Sequence, residues 1–272
     1  MIIVVSDVHL GYEGHCNYKE FNDFLIKCNE SDIEHLVLLG DILDFWRTKH
    51  TKLIMDPKYA EVYETLGNLK AKNVHYVTGN HDYCMMDIRA RCDKAPGQTA
   101  YPFEISRTLR LSDGGSKFYF FHGYELEALL SPVFRGDIGR YERVSEHMCS
   151  SHSKTISEAE SGIWDIKEDI ARYVDRLQND IEKLEKPPQD RDYINEADKL
   201  ASSKGLYLLL GMMPDDKLVY GHTHKPYINR AGTIANTGSW VNDLPKEMPR
   251  NTYVKIVDGQ MDLKTFDPRA TL

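Results

Sequence analysis

The chain has 272 residues and a formal net charge of −8, which suits one large domain or a domain with an inserted subdomain. The acidic charge argues against a broad surface for duplex nucleic acid. Its five cysteines show no metal-type spacing. The first predicted strand begins at residue 2, and no apolar stretch is long enough to span a bilayer, so we predict a cytoplasmic location.

Five short apolar runs are predicted to form buried strands, because they are rich in β-branched and aromatic residues. They are residues 2–5, 36–39, 74–77, 118–121 and 218–220. Apolar residues recur at helical spacing in 21–28 and 59–66, between the first three runs, which predicts parallel strands with right-handed crossovers. Shorter strands with glycine turns follow Tyr101 and Tyr227. This order predicts an α/β fold, a four-layer α/β/β/α sandwich.

A polar motif follows each predicted strand within two residues. The five motifs are Asp7-Val8-His9, Gly40-Asp41-Ile42-Leu43-Asp44, Gly79-Asn80-His81-Asp82, His122-Gly123 and Gly221-His222-Thr223-His224. In open α/β sheets, chemistry lies beyond the carboxyl ends of the strands. Each motif alone would more often be an ordinary polar loop. Grouping so many carboxylates and imidazoles is costly unless a positive ion lies among them, so the five motifs together predict a metal site.

The types and number of these side chains indicate which metals they would bind. Imidazole and carboxylate without thiolate suit Mn, Fe, Co, Ni or Zn. The set is too large for one ion, which predicts two ions with one bridging carboxylate. Two ions roughly 3.5–4 Å apart would clamp a phosphoryl group and generate a hydroxide between them. The glycines before Asp41, Asn80 and His222 are predicted to occupy tight turns with unusual backbone angles.

The motif pattern resembles the calcineurin-like metallophosphoesterase superfamily, which has D-x-H, G-D-x-x-D, G-N-H-D/E, an isolated H and G-H-x-H in this order. The resemblance extends over residues 7 to 224 and implies two divalent ions, with Mn²⁺ as the first expectation. By this resemblance, one ion is held by Asp7, His9, Asp41 and His224, and the other by Asp41, Asn80, His122 and His222. His81 matches the catalytic histidine, which would protonate the leaving group, and Asp44 matches the carboxylate that orients it.

Residues 125–213 interrupt the strand pattern. An apolar stripe with intervals of three or four over 163–184 predicts a long helix, which Pro187-Pro188 ends. We therefore divide the chain into a core (1–124 and 214–272) and a helical cap (125–213). The cap is expected either to select the substrate or to form a homodimer. Near its start, three arginines are candidates for binding substrate phosphates, with ordinary surface pairing as the alternative: Arg135, Arg140 and Arg143.

Within the superfamily, the chain is most similar in motif phrasing to the UDP-2,3-diacylglucosamine pyrophosphohydrolase-like branch. That branch carries a helical insertion here and shares the phrases at residues 40–46, 221–226 and 236–240. It usually has arginine where this chain has His81, which leaves the lipid-sugar nucleotide substrate open. Trp46 and Trp240 are expected either to line a pocket or to pack in the core.

The predicted function is hydrolysis of a small phosphomonoester, phosphodiester or pyrophosphate by a metal-bridging hydroxide. A nucleotide-sugar or a lipid-linked pyrophosphate belongs to this range of substrates. One alternative is a nuclease that acts on single-stranded or short nucleic acid. The other is a non-catalytic scaffold, which would be expected to have lost His81 or Asp41, and both are intact. Peripheral membrane contact is left open.

Overall fold

The computed structural model describes residues 1–94, 103–131, 134–151, 192–242 and 244–272. The strands are β1 (Ile2–Val5), β2 (His35–Leu39), β3 (Asn73–Val77), β4 (Glu104–Ser106), β5 (Thr108–Asp113), β6 (Ser116–Phe121), β7 (Lys217–Tyr220), β8 (Tyr227–Ile228), β9 (Ile234–Asn236), β10 (Thr252–Val257) and β11 (Gln260–Thr265). The helices are α1 (Tyr18–Asn29), α2 (His50–Met55), α3 (Ala60–Gly67), α4 (Met85–Lys94), α5 (Tyr124–Leu130), α6 (Ile138–Ser151), α7 (Asp192–Ala201) and α8 (Leu206–Leu210), with a 3₁₀ turn at Pro57–Tyr59.

The strands form two sheets. The first has the order β11-β10-β1-β2-β3-β4, in which β1 to β4 are parallel and β10 and β11 form an antiparallel hairpin at one edge. The second has the order β5-β6-β7-β9-β8, in which β6, β7 and β9 are parallel and the two edge strands are antiparallel. The pairing of β1, β2 and β3 confirms that these strands are parallel. The parallel centre of each sheet directs the strand ends that carry motifs toward one edge.

Alternate residues of the central strands are buried in different layers. Ile2 and Val4 on β1 join Phe118 in the apolar layer between the two sheets. Ile3 and Val5 pack instead under α1 and α3 on the outside of the first sheet. Because a strand buried on both faces is apolar at every position, these runs lack the alternation of a half-exposed strand. Each fully buried aliphatic side chain contributes roughly 1.5–3 kcal/mol to stability.

Helices cover the outer face of the second sheet as well. Phe121 of β6 packs against α5, against Ala197 and Ala201 of α7, and against Leu206 of α8. The molecule therefore has helices, sheet, sheet and helices in succession, which confirms the predicted α/β/β/α sandwich. None of the helices in the described part of the chain has the length and apolar composition needed to cross a bilayer.

Trp240 packs in the core rather than in a pocket. Its ring contacts Phe21 and Phe24 of α1 at centroid distances of 5.5 and 5.1 Å. Its indole Nε1 donates a hydrogen bond to the Thr252 carbonyl at 3.0 Å, so the one polar atom of the buried ring is satisfied.

The predicted cap falls partly outside the described residues. The apolar stripe over 163–184 and the Pro187-Pro188 end lie there. In the described part of the predicted cap, α7 and α8 pack on the second sheet. The boundary between core and cap stays a prediction.

Candidate metal centre

The predicted ligands lie together beyond the ends of β1, β2, β3, β6 and β7, and hydrogen bonds hold their loops in register. The Asp7 amide donates to the Gly40 carbonyl at 3.1 Å, which joins two loops of the first sheet. The Gly221 amide donates to the His122 carbonyl at 2.8 Å, which joins two loops of the second. The His222 amide donates to Asp7 Oδ2 at 2.9 Å and so ties the two sheets together at the site.

Asp7, His9 and His224 form the first cluster of side chains that could hold a metal ion. The two imidazole Nε2 atoms are 3.2 Å apart, and His224 Nε2 is 3.3 Å from Asp7 Oδ1. His9 Nε2 is 3.9 Å from the same carboxylate oxygen. Three ligand atoms thus converge on one small volume from the first and the last motif.

Asp41, His122 and His222 form a second cluster. His122 Nε2 is 3.1 Å from Asp41 Oδ2. The same Asp41 oxygen is 3.8 Å from Nε2 of His9, which belongs to the first cluster. Asp41 Oδ2 therefore lies between imidazole nitrogens of both clusters, which is the position a bridging carboxylate requires.

Several buried side-chain atoms of the predicted ligands have no hydrogen-bond partner among the described residues. They include Asp7 Oδ1, Asn80 Oδ1 and His122 Nε2. Leaving a buried polar atom unpaired typically costs about 1–3 kcal/mol. A cation among these atoms would remove that cost, so the residues present fit a metal ion.

The carboxylates around His122 indicate a shortage of positive charge at the same place. Burial alone would lower the pKa of His122, but the carboxylates of Asp41 and Asp7 outweigh burial and raise it to about 10. Its Nδ1 donates to the Leu39 carbonyl at 2.8 Å, which leaves Nε2 to face the carboxylates. A divalent ion at Nε2 would supply the missing charge and take the lone pair of a neutral imidazole.

Asp44 binds two histidines at once. Its Oδ1 is 3.0 Å from His81 Nδ1, and its Oδ2 is 3.1 Å from His9 Nδ1. Arg47 Nη1 also donates to Oδ2, at 2.5 Å. Burial would raise the pKa of Asp44, but His81, His9 and Arg47 bring it well below its usual range. An ionised Asp44 therefore accepts a hydrogen bond from the Nδ1–H of both imidazoles. The Nε2 atoms of His81 and His9 then remain free to face the site.

Packing fixes the plane of the His81 ring. Trp46 stacks on it at a centroid distance of 4.3 Å and an interplanar angle of 26°. His9 meets it edge-on at 4.7 Å. His81, His9 and Asp41 also form a third group whose ligand atoms lie within 4.8 Å of one another. Proximity alone therefore allows His81 to bind metal, and only the metal content of a variant separates a ligand from a proton donor.

The model of the calcineurin-like phosphoesterase family matches residues 1–226. The chain belongs to this family. Calcineurin-like phosphoesterases are metal-dependent, in agreement with the carboxylate and imidazole clusters of this chain. A search of curated proteins finds no match.

Solved structures of similar proteins share little sequence with this family member. A dimetal phosphatase from Danio rerio has 13% identity and a TM-score of 0.45, with 97% of this chain and 94% of that chain covered. Yfce, a phosphoesterase from E. coli, has 18% identity and a TM-score of 0.41, with 100% and 94% covered. Vps29 complexed with Zn²⁺ from Entamoeba histolytica has 16% identity and a TM-score of 0.36, with 98% and 99% covered.

Predicted ligands of this calcineurin-like phosphoesterase adopt a backbone conformation that side chains disfavour. Five of them have positive φ: Asp7 (55°), His9 (53°), Asp41 (53°), His222 (66°) and His224 (58°). Left-handed backbone at a residue other than glycine costs on the order of 1–2 kcal/mol. Such strain persists only where the surroundings impose it, and it is typical of functional sites.

The three motif glycines serve two different purposes. Gly40 has φ +83°, as the expected tight turn requires. Gly79 and Gly221 lie outside the left-handed region, so the expectation of unusual angles was wrong for them. A methyl group on Gly79 would collide with Asp41 Oδ1, and one on Gly221 would collide with Asp7 Oδ2. These two glycines make room for the carboxylates of the site.

Gly79→Ala is therefore expected to displace the Asp41 carboxylate and weaken metal binding at both clusters. A misplacement of about 1 Å at a reacting centre costs about 10²-fold in rate, and we expect a loss of that order in kcat/KM. Metal analysis measures the weaker metal binding, and activity assays at saturating metal measure the loss in kcat/KM. Gly67→Ala is the matched control, because a methyl group there meets no atom within 4 Å. Equal metal affinity in the two variants would refute this explanation.

Asp82 organises the loops by accepting hydrogen bonds from their backbone. Its Oδ2 accepts from the Ile42 amide at 2.9 Å and from the Tyr76 hydroxyl at 2.6 Å. Its Oδ1 accepts from the Gly79 amide at 2.7 Å. Burial and the nearby Asp41 raise the pKa of Asp82 to about 7. This carboxyl thus holds the second and third motifs together.

The three candidate arginines lie around the start of α6. The Arg143 guanidinium is 3.8 Å from Asp137 Oδ2 and its side chain is largely exposed. The Arg140 amide donates to Asp137 Oδ1 at 2.8 Å, and Arg135 is exposed in the preceding loop with φ 51°. Arg143 also lines a cavity of about 280 Å³ with Tyr83 and Cys84, which follow the third motif. Contact of these arginines with substrate stays a prediction.

Two charged residues of the site were missing from the sequence-based set. Arg47 binds Asp44, and its guanidinium lies 4.3 Å from the Tyr12 ring centroid. Glu127 of α5 contacts His222, with 2.7 Å between Oε2 and Nε2. Arg47 lies three residues after Asp44, the last residue of the second motif, so its position was a usable signal. Glu127 lies 95 positions from His222 in sequence, and no motif spacing connects them.

Proposed function

We propose that this calcineurin-like phosphoesterase is a dinuclear metal-dependent enzyme that hydrolyses a small phosphomonoester, phosphodiester or pyrophosphate. The observation that carries the proposal is the position of Asp41 Oδ2, which lies 3.1 Å from His122 Nε2 and 3.8 Å from His9 Nε2. A carboxylate oxygen thus lies near imidazole nitrogens of both clusters, and the family acts on phosphate esters.

The residues would divide into two ligand sets. Asp7, His9, Asp41 and His224 would hold one ion, and Asp41, Asn80, His122 and His222 the other. When bound, the two ions would supply Lewis acidity at the phosphoryl oxygens and would activate a water molecule as nucleophile. Mn²⁺ is our first choice, and Fe, Co, Ni or Zn also suit these ligands.

His81 would act on the leaving group. Asp44 accepts a hydrogen bond from His81 Nδ1 at 3.0 Å, and Trp46 stacks on the imidazole. These two contacts fix the orientation of the ring and leave Nε2 available to the substrate. A protonated Nε2 would donate its proton to the departing oxygen as the P–O bond breaks. Asp44 would stabilise the imidazolium by its charge.

A nucleotide-sugar or lipid-linked pyrophosphate is our narrower candidate substrate. It is supported by the phrases at 40–46, 221–226 and 236–240, which are similar to the UDP-2,3-diacylglucosamine pyrophosphohydrolase-like branch. His81 replaces the arginine usual in that branch, so simpler esters belong in the same test. We expect residues 125–213 to select among these substrates.

A metal-reconstituted panel of substrates tests the proposal. Metal-free protein is supplied with Mn, Fe, Co, Ni or Zn and assayed on p-nitrophenyl phosphate, bis-p-nitrophenyl phosphate, UDP-sugars and cyclic nucleotides. We expect metal-dependent turnover of at least one class, abolished by a chelator and restored by the metal. Asp41→Ala protein purified in parallel controls for contaminating phosphatases.

Two results of the panel would contradict the proposal. A protein that binds two ions and turns over none of these substrates would favour a non-catalytic scaffold. Faster cleavage of a single-stranded oligonucleotide than of any small ester would favour a nuclease.

A further inference from the structure

We propose that Glu127 is a positioning residue that sets the tautomer of His222 and thereby the affinity of the metal site formed with Asp41 and His122. Glu127 belongs to α5, outside all five motifs, and Tyr141 of α6 supports it. This inference rests on the dinuclear centre proposed above.

The contact between the two side chains is direct and buried. His222 Nε2 is 2.7 Å from Glu127 Oε2, and Glu127 is 6% exposed. Glu127 Oε2 also accepts a hydrogen bond from the Tyr141 hydroxyl, so it is the acceptor in this pair as well and His222 Nε2 carries the proton. Nδ1 is then the ring nitrogen that keeps a lone pair for the metal. Rotation of the ring away from this geometry would break the contact.

A second donor holds the carboxylate in place. The Tyr141 hydroxyl donates to the same Glu127 oxygen at 3.0 Å. Tyr141 is itself fixed by stacking on Tyr124 of α5, with a centroid distance of 5.4 Å and an interplanar angle of 13°. The chain of contacts therefore runs from α6 through Tyr141 and Glu127 to His222.

The other imidazoles differ in where their support comes from. His9 Nδ1 is held by Asp44 at 3.1 Å, within the second motif, and His122 Nδ1 by the Leu39 carbonyl at 2.8 Å, at the end of β2. His224 Nδ1 has no hydrogen-bond partner among the described residues. Support from a carboxylate on a helix after β6 is thus particular to His222. Partners of this kind orient metal ligands and increase their basicity.

Glu125 provides an internal comparison. It lies two residues from Glu127 on the same helix and is 5% exposed, but its carboxylate accepts from the Gly123 amide at 3.0 Å instead of from an imidazole. Glu125→Gln changes a buried glutamate of α5 whose hydrogen bond is to a backbone amide and not to the imidazole of a predicted ligand. Any effect specific to Glu127 is therefore separable from general damage to α5.

The test is titration of metal-free protein with Mn²⁺ by calorimetry, repeated with Co²⁺ for its visible spectrum. We expect wild-type protein to bind two ions. Glu127→Leu should keep one site and weaken the other about 10- to 100-fold, the usual effect of losing such a partner. Glu127→Gln should lie between, because its carbonyl still accepts a hydrogen bond, and Glu125→Gln should match wild type.

The His224→Ala background assigns the weakened site. His224→Ala removes a ligand of the first set and leaves the set of Asp41, Asn80, His122 and His222. Adding Glu127→Leu should then weaken the remaining site about 10- to 100-fold and change the Co²⁺ spectrum. If Glu127→Leu does not fold, as judged by circular dichroism, Glu127→Gln in the same background should weaken the remaining site severalfold.

One outcome would contradict the positioning role of Glu127, and another would contradict the dinuclear centre itself. If wild type binds two ions and the Glu127 variants bind both with affinities within threefold of wild type, the positioning role is wrong and the dinuclear centre stands. If wild type binds fewer than two ions at saturating Mn²⁺ and Co²⁺, the dinuclear proposal fails and the inference fails with it.

Discussion

Asp41→Ala is expected to lose both metal ions and nearly all activity. Asp41 Oδ2 lies near imidazole nitrogens of both clusters, and Oδ1 accepts the His81 amide at 2.8 Å, so the substitution also loosens the catalytic loop. Charge stabilisation by two ions is worth several kcal/mol, which predicts a loss of more than about 10³-fold in kcat/KM. Metal analysis of the purified variant and assays on the best substrate measure the two effects.

His224→Ala is the matched comparison for Asp41→Ala. His224 belongs to the first cluster alone, so we expect this variant to weaken one site and retain the other. An Asp41→Ala protein that still binds two ions per chain would show that another group bridges them.

His81→Ala is expected to keep both ions and lose turnover. Proton donation by a positioned side chain typically contributes about 10²–10⁴-fold. The loss should be near the upper end for an alkyl phosphate, whose leaving oxygen needs a proton. It should be much smaller for p-nitrophenyl esters, whose leaving group is stable as an anion. Turnover rates on both substrate types, together with the metal content of the purified variant, test this prediction.

Trp46→Phe is the control for His81→Ala, because a phenyl ring can still stack on the imidazole while the nitrogen atoms stay in place. We expect it to retain most of the activity. Equal losses on good and poor leaving groups in His81→Ala would argue against proton donation, and loss of one ion would make His81 a ligand.

The fold and the clustering of the motifs were predictable for the same physical reason. Each motif begins within two residues of the end of a strand, and strands buried on both faces are conspicuous as continuous apolar runs. Parallel strands bring their carboxyl ends to one edge of a sheet, so the runs at 2–5 and 36–39 are enough to expect Asp7 and Asp41 to meet. His122 follows a strand of the second sheet and joins them because the two sheets pack face to face.

The features that sequence could not supply depend on contacts between distant or unpatterned residues. Glu127 reaches His222 only because α5 packs on the second sheet, and a helix rich in leucine and glutamate gives no sign that one carboxylate is buried against an imidazole. Asp44 was expected to orient His81, but its second bond, to His9, requires the first two loops to be seen together. The crowding at Gly79 is likewise a tertiary effect.

Five predicted ligands have left-handed backbone, which lowers the stability of the fold. Selection for stability and selection for metal binding therefore favour different residues at these positions. At about 1–2 kcal/mol each, the strain at these positions approaches the roughly 5–15 kcal/mol by which a typical domain is stable. Exchange of such a residue for glycine would relieve the strain at that position, but at Asp7 and Asp41 it would also remove the hydrogen bonds that the carboxylates accept from the His222 and His81 amides. The strained backbone at these positions is a free-energy cost that folding alone does not recover.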